Sequence, residues 1–538
     1  MHQLRVCPRV HLAGHAVFLL VALACAPGAA PPAATSADRA RGVVFHDRDG
    51  DGVRDPGEWG IRGVRVSNGR DVVRTDWRGR YSLPVGDDTI LFVIKPRDFA
   101  PPTGPLGLPQ FYYVHRPAGS PPGLDFPGIA PTGPLPESID FPLERSPGSD
   151  QFRMLLFGDP QPYTLEEVDF FSRDIVEPLI GADVAFGMSL GDLVGDDLAL
   201  FGPLNRAVAH IGVPWYNVVG NHDLNYRASD DAASVASFER VYGPANYAFQ
   251  YGRVHFIVLD DVVYRGWNAA DDRQGGYDAG LSTDQLAFVR NVLATVPRED
   301  LVVLALHIPI GGIEKPFPQR RELLEILSTH PHTASFAAHA HIQTHVFFGP
   351  EDGYTGGGAH HHLIHATTSG SWWLGAADEL GLPHATMRCG APNGYSIVRF
   401  DGNRYEIDFR AARRPASYQM NVMAPDAVAR DEVSTAEVLV NVFAGSERSV
   451  VEMRVRGVGD WQVLERVERP DPLYLAIGRR EADLEGRRGY KLPPPIPSPH
   501  LWAGTLPPDV PPGTALLDVR ATDMFGRTHT AHRLIRVE

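Results

Sequence analysis

His339 and His341 stand one residue apart at the end of the apolar run ASFAAHAH, where a chain that has just built a buried strand places two imidazoles side by side. On an extended strand, residues at i and i+2 share a face, so the two rings would converge on one point, which is metal-ligand spacing. Partners for such a pair must come from elsewhere in the chain. FRMLLFGD stops at Asp159, with Gln161 two positions on; ADVAFGMSLGD stops at Asp192; VPWYNVVGNHD stops at Asn221, His222 and Asp223; LVVLALHIP stops at His307. Carboxylate, amide and imidazole are all donors to divalent cations, and each of these apolar runs ends on one.

The elements that must position them are six short, continuously apolar runs, with VHFIVLDD as the sixth, separated by amphipathic helical patterns such as STDQLAFVRNVLATV and QRRELLEILSTH. Ser282 and Gln285 have the spacing of a capping box at the start of the first helix. Continuous apolar strands alternating with helices predict a sheet covered on both faces, an α/β layered domain. In such folds the loops after the strands' carboxyl ends form a common crevice, so residues spread from position 159 to 341 can meet there. The domain closes with the hairpin YSIVRFDGNRYEIDFR, turning around Asp401 and Gly402, which bounds it at residues 148–412. Residues 40–147 read as a β-domain whose Pro/Gly-rich stretches are long loops and a linker, and residues 413–538 as a β-sandwich of six or seven strands.

The order GDPQ, GDLVGDD, GNHD, LHIP, AHAH resembles the calcineurin-like metallophosphoesterase superfamily, whose pattern is D-x-H, GDxxD, GNHD/E, H, GHxH. The resemblance runs from Gln151 to roughly Arg410. With SGSWWLG, GAPNGY and the β-domains on both sides, the chain also resembles a three-domain exported bacterial branch of that superfamily. The fold this implies is a four-layer α/β/β/α sandwich flanked by an N-terminal β-domain and a C-terminal β-sandwich. The implied activity is hydrolysis of phosphate mono- or diesters at two divalent cations (Mn, Fe, Zn or Mg), with a hydroxide between them attacking phosphorus in line with the leaving group.

Carried over position by position, the resemblance implies that Asp192 bridges the two ions. Asp159, Gln161 and His341 would complete one shell, and Asn221, His307 and His339 the other. His222 would then be no ligand but the donor to the leaving oxygen, with Asp223 orienting its ring. Three positions depart from the pattern. Gln161 replaces a histidine and tilts the first site toward oxygen-preferring ions. Gly195 stands where GDxxD has its second Asp, with Asp196 and Asp197 following at once; it also removes the Tyr of purple acid phosphatases. Ala338 replaces the glycine before the histidine pair.

Downstream, HHHLIHATTSGSWWLG offers Trp372 and Trp373 as an apolar wall for the organic part of a substrate, or else one tryptophan is core and the histidines are a solvated loop. Asn393 in GAPNGY reads as a turn residue or else as a hydrogen-bonding contact to substrate. Near the N-terminus, DRDGDGVRDPGE fits a calcium loop through Asp47, Asp49, Asp51, Val53 by its carbonyl, Asp55 and Glu58. Its flanks read as strands, so the expected role is a structural calcium ion in a small β-domain.

The net charge of −15 argues against nucleic-acid polymers as partners, since the long-range field repels phosphates. A small phosphate ester is the expected substrate, and the β-domains are candidates for cell-surface contact. Arg5 and Arg9, the apolar stretch AVFLLVALACA and the following small, Pro-rich residues read as a secretory signal over residues 1–35. The protein is therefore expected to be exported to the periplasm or beyond, with Cys25 a candidate for lipid anchoring and no transmembrane segment in the mature chain. Only Cys7, Cys25 and Cys389 occur, too few for a disulfide framework. The rival reading is a surface-binding protein that keeps an inactive phosphoesterase fold, with Gln161 and Gly195 as signs of decay.

Overall fold

Each of the six apolar runs is a strand: Gln151–Phe157, Phe186–Ser189, Trp215–Asn217, Val254–Val258, Leu301–Ala305 and Thr333–Ala337. The computed structural model describes residues 38–311, 315–482 and 492–538; the predicted signal and Cys25 lie outside them. From Asp38 to Glu538 the chain forms one unit.

Two sheets make the centre. A five-stranded sheet runs Trp215–Asn217, Phe186–Ser189, Gln151–Phe157, Gly394–Asp401, Arg404–Ala411. Its first three strands are parallel and its last two form the predicted hairpin. A six-stranded sheet runs Tyr247–Tyr251, Val254–Val258, Leu301–Ala305, Thr333–Ala337, His360–Ile364, Thr344–Phe348, parallel in its four inner strands and antiparallel at both edges. The sheets pack through aromatic rings. Phe186 meets Phe249 and Phe256 edge-on at 5.4 and 5.5 Å, and Tyr216 stacks on Phe249 at 3.9 Å. Because parallel strands are buried on both faces, Leu301–Ala305 is wholly apolar and Gln151–Phe157 is apolar from Met154 on, while the polar side chains within Thr333–Ala337 and His360–Ile364 bond one another across the ladder.

Helix Thr283–Leu293 starts at the predicted box, with Ser282 Oγ accepting from Gln285 N at 3.2 Å and Gln285 Oε1 accepting from Ser282 N at 2.7 Å. Helix Arg320–Leu327 buries Leu323, Leu324, Ile326 and Leu327. Both deliver the chain back to the start of a parallel strand, which is what puts all the strand ends on one side.

The N-terminal region forms two four-stranded sheets, but its core continues into the central region. Phe92 meets Phe288 edge-on at 5.9 Å and Phe111 lies 5.3 Å from Tyr247. The buried Arg65 guanidinium donates to Gln250 Oε1 at 3.2 Å and Thr295 Oγ1 at 3.3 Å. The Pro/Gly-rich passage is no free linker. Trp215 N donates to Gly107 O at 2.9 Å, and Asn225 Nδ2 donates to Phe126 O at 2.9 Å.

The C-terminal region pairs a four-stranded with a five-stranded sheet around its own core of Val438, Val440, Met453, Trp502, Val519 and Ile535. The helix Pro472–Ala482 within it has no counterpart in the all-β region expected from the sequence. Its buried Glu481 accepts from His384 Nε2 at 2.8 Å and from Ala376 N at 3.1 Å, tying this helix to the segment that follows Trp373. Among the described residues no helix is long and apolar enough to cross a membrane.

Candidate metal centre

The strand ends meet. Asp192, His307 and His339 are buried and offer ligand atoms within 4.8 Å of one another. His307 Nε2 lies 3.3 Å from Asp192 Oδ2, 3.1 Å from Asn221 Oδ1 and 3.1 Å from His339 Nδ1. On the other side His341 Nε2 lies 3.2 Å from Asp159 Oδ2, and Asp159 Oδ1 lies 3.9 Å from His307 Nδ1. Gln161 N donates to Asp192 O at 3.0 Å. All seven residues read as ligands are thus in one buried cluster.

The imidazoles are oriented from behind. His307 Nδ1–H donates to Leu190 O at 2.8 Å and His341 Nδ1–H donates to Gly370 O at 2.5 Å, so in each ring Nε2 is the atom left facing the cluster. Gly191 is required here: at φ 91° a side chain is strained, and a Cβ would lie 2.5 Å from His307 Nδ1.

The backbone is held in an unusual state at this place. Among the described residues, eleven non-glycines have positive φ, and eight of them are Asp159, Gln161, Asp192, Asp196, His339, His341, Trp372 and Trp373. Left-handed non-glycine backbone costs about 1 to 3 kcal/mol per residue and gathers at functional sites. This corrects the sequence reading of the histidine pair. His339 and His341 lie past the end of strand Thr333–Ala337, at φ 65° and 51°, so they converge through two left-handed turns rather than through strand alternation. Ala338 has an ordinary φ, which is why alanine serves there as well as glycine.

The donor set fits divalent cations. Burial, reinforced by His307, pushes His339 down to about 3, and burial pushes His341 down to about 4. Both rings are therefore neutral, the form that ligates. For Asp192, burial alone would raise the carboxyl, but His307 and His222 beside it outweigh that and hold it well below the usual carboxylate range. Gln161 Oε1 is buried without a hydrogen-bond partner, an acceptor whose desolvation nothing in the polypeptide compensates. Neutral His339 and His341, an anionic Asp192 and an unengaged amide oxygen around one point are what a metal site presents; His307, which burial would lower but Asp192 raises to about 10, would give up a ring proton to ligate.

His222 sits beside the cluster, with its N–H donating to Asp192 Oδ1 at 2.8 Å. Its ring partner is Asp196, whose Oδ1 lies 2.6 Å from His222 Nδ1 and also accepts from Tyr226 Oη at 3.0 Å. The expectation that Asp223 orients this ring is corrected. Asp223 accepts from the backbone N–H groups of Gly220, Leu193 and Val194 at 2.8, 3.1 and 3.2 Å, holding the two ligand loops in shape. Asp196 was legible as a neighbouring carboxylate but not as the partner. Burial would lower His222, yet Asp192 and the Asp196 hydrogen bond raise it to about 9, so the ring is a proton donor at neutral pH.

The tryptophans divide. Trp372 is half-buried and stacks on His341 at 4.0 Å. Trp373 is core: its Nε1 donates to Pro160 O at 2.9 Å and its ring packs on Phe170 and Phe171, so it forms no substrate wall. The histidines before them are no solvated loop. His360–Ile364 is a fully buried strand, in which His360 bonds Thr333 Oγ1 and Ser335 Oγ at 2.8 Å each and His361 Nδ1 lies 2.6 Å from Tyr405 Oη. Asn393 is buried and donates to Asp174 Oδ2 at 2.6 Å and Thr368 O at 2.9 Å, bracing the segment behind the site. In the N-terminal loop, carboxylate oxygens of Asp47, Asp49 and Glu58 lie within 4.8 Å of one another, as do those of Asp49, Asp51 and Asp55.

Residues 49–128 match the N terminal of calcineurin-like phosphoesterase and residues 362–529 match the C terminal of calcineurin-like phosphoesterase. The two matched segments lie on either side of the stretch that carries the ligand cluster. Over these two segments the chain is similar to calcineurin-like phosphoesterases. Among solved structures, a purple acid phosphatase from yellow lupin (Lupinus luteus) seeds is similar at 12% identity and a TM-score of 0.34, over 65% of this chain and 66% of that one. No curated protein matches the chain.

Proposed function

We propose that this protein hydrolyses phosphate mono- or diesters with two divalent cations, held by Asp159, Gln161, Asp192 and His341 on one side and by Asp192, Asn221, His307 and His339 on the other. The observation that carries the reading is the buried convergence of Asp192, His307 and His339 within 4.8 Å, with a protonated His222 at its edge. The cations, when bound, put positive charge against the phosphoryl oxygens and lower the pKa of the attacking water. The chain's own groups do the rest. Asp192 is kept anionic; Leu190 and Gly370 carbonyls fix the imidazoles; Asp196 holds His222 by Nδ1, which leaves Nε2–H as the proton donor to the departing oxygen.

The layering read from the sequence, helices outside two facing sheets in a four-layer sandwich, belongs to the same proposal, as do the three-domain division and export through residues 1–35. Trp372, stacked on His341, is the candidate contact for the organic part of the substrate.

The test is elemental analysis of the native protein, followed by turnover of an aryl phosphate and of its bis-aryl diester with Mn²⁺ added. About two transition-metal ions per chain and hydrolysis of one ester are expected, and whichever ester turns over names the bond. A protein that takes up no such ion and cleaves neither ester would sink the reading and favour a surface-binding role.

We also propose a structural calcium ion in the loop Asp47, Asp49, Asp51, Val53, Asp55 and Glu58, at the weak affinities of extracellular modules, about 10⁻⁴ to 10⁻³ M. Millimolar calcium should raise Tm by a few degrees, and Asp49→Asn should abolish that rise. A Tm indifferent to calcium and to EGTA rejects the ion.

A further inference from the structure

Gln161 and Gly195 depart from the family pattern at separate places in the sequence, but in the fold they meet through one side chain, Tyr163. A Cβ on Gly195 would lie 2.6 Å from Cδ1 and Cε1 of Tyr163 and 2.7 Å from Cδ2, so the ring lies flat on the glycine. Gly195 does not have positive φ, so glycine stands there for space and not for backbone freedom.

The loops that carry these residues are laced together. Gln161 N donates to Asp192 O at 3.0 Å and Gly195 N donates to Pro162 O at 2.9 Å. Tyr163 N donates to Glu167 Oε2 at 2.6 Å, fixing the tyrosine's own backbone to the helix Leu165–Phe171. The phenol oxygen is thereby set where it accepts from Gln161 Nε2 at 3.2 Å. A primary amide has one donor end and one acceptor end, so engaging the NH₂ decides that Oε1 is the end turned away from the tyrosine. That oxygen is the buried atom without a hydrogen-bond partner.

We infer that Tyr163 is a positioning residue that holds the Gln161 amide oxygen toward the first cation, and that Gly195 is glycine so that the tyrosine ring can lie there. An imidazole needs no such help to present a lone pair, because either ring nitrogen can ligate. The loss of histidine at 161 and of aspartate at 195 is then one coupled change that keeps a working ligand, rather than two marks of decay. This inference rests on the dinuclear reading proposed above.

The test is calorimetric titration of the metal-stripped full-length protein with Mn²⁺, with EPR to detect a spin-coupled ion pair. The wild type should bind two ions. Tyr163→Phe keeps the ring on Gly195 and removes only the hydroxyl; it should weaken one of the two ions by about 10- to 100-fold, lose the coupled signal at limiting Mn²⁺, and leave the melting of the metal-free protein unchanged. Gly195→Ala, which displaces the ring, should weaken the same ion. In a Gln161→His background, Tyr163→Phe should have no further effect on affinity. Two ions bound by Tyr163→Phe as tightly as by the wild type would overturn the inference alone. A wild type that binds no ion would overturn the dinuclear reading beneath it, and the inference with it.

Discussion

His222→Ala should lower kcat by about 10²- to 10⁴-fold on whichever phosphate ester the protein turns over, with its metal content unchanged. The size follows from the role. In the proposed role His222 lends its side chain to no ligand position, but its Nδ1 is held at 2.6 Å by Asp196, which keeps the other nitrogen protonated. Asp196→Asn should also lose rate without losing metal, by less than His222→Ala, because the amide still fixes the ring but no longer stabilises its positive charge. Asp223→Asn should behave differently. Its carboxylate caps three backbone N–H groups of the ligand loops, so its loss should show first as a lower Tm and weaker metal binding. Steady-state kinetics with elemental analysis of each variant separates these outcomes, and a His222→Ala enzyme within a few-fold of wild type would remove the proton donor from the proposal.

The second large effect is on stability. His345, His360, His362, His365 and His500 are buried and pushed down to between about 3 and 4, His361 is pushed well below its ordinary value, and His255 is pushed to about 4, in every case first by burial. The folded state keeps these rings neutral, whereas the unfolded chain protonates them near pH 6.5. The unfolded state therefore binds more protons between pH 6.5 and about 4, and stability is lost as the pH falls through that window. Each ring contributes about 1.4 kcal/mol per pH unit within it. Buried carboxylates titrate in the opposite sense: burial raises Glu239 and Asp261 to about 7 and Asp260 well above its usual range, and these offset part of the loss. The net expectation is a fall in Tm of roughly 10 °C or more between pH 6.5 and 5, followed by circular dichroism. A Tm that stays level across that interval would mean the histidines are not held neutral as a group.

The part of the site legible in the sequence is the part that strand physics exposes. A parallel strand buried on both faces must be apolar until it leaves the sheet, so a polar residue at its end is either a surface group or a functional one. Asp159, Asp192, Asn221, His307 and His339 stood out for that reason. What failed to show were relations set by loops. The His222 partner could not be chosen between Asp196 and Asp223, because the choice depends on which carboxylate the loop turns outward and which it spends on backbone N–H groups. The strand HHHLI was open to reading as a solvated loop because the partners of His360 and His362, Thr333 and Ser335 on the neighbouring strand, lie 25 or more residues away, and His361 bonds Tyr405 from another sheet. The Pro-rich passage looked like a tether because its backbone partners, Trp215 and Asn225, lie about a hundred positions further on.

The continuity of the first core with the central one bears on how this architecture can change. Phe92 and Phe111 are seated against Phe288 and Tyr247, and the Arg65 guanidinium is spent on side chains of the central region. The N-terminal module is a fixed wall of the central region and not a bead on a string. Recombination that trades it for an unrelated module would have to bring matching aromatic knobs and a replacement cation, so change is easiest in its outer loops, with the wall itself kept in place.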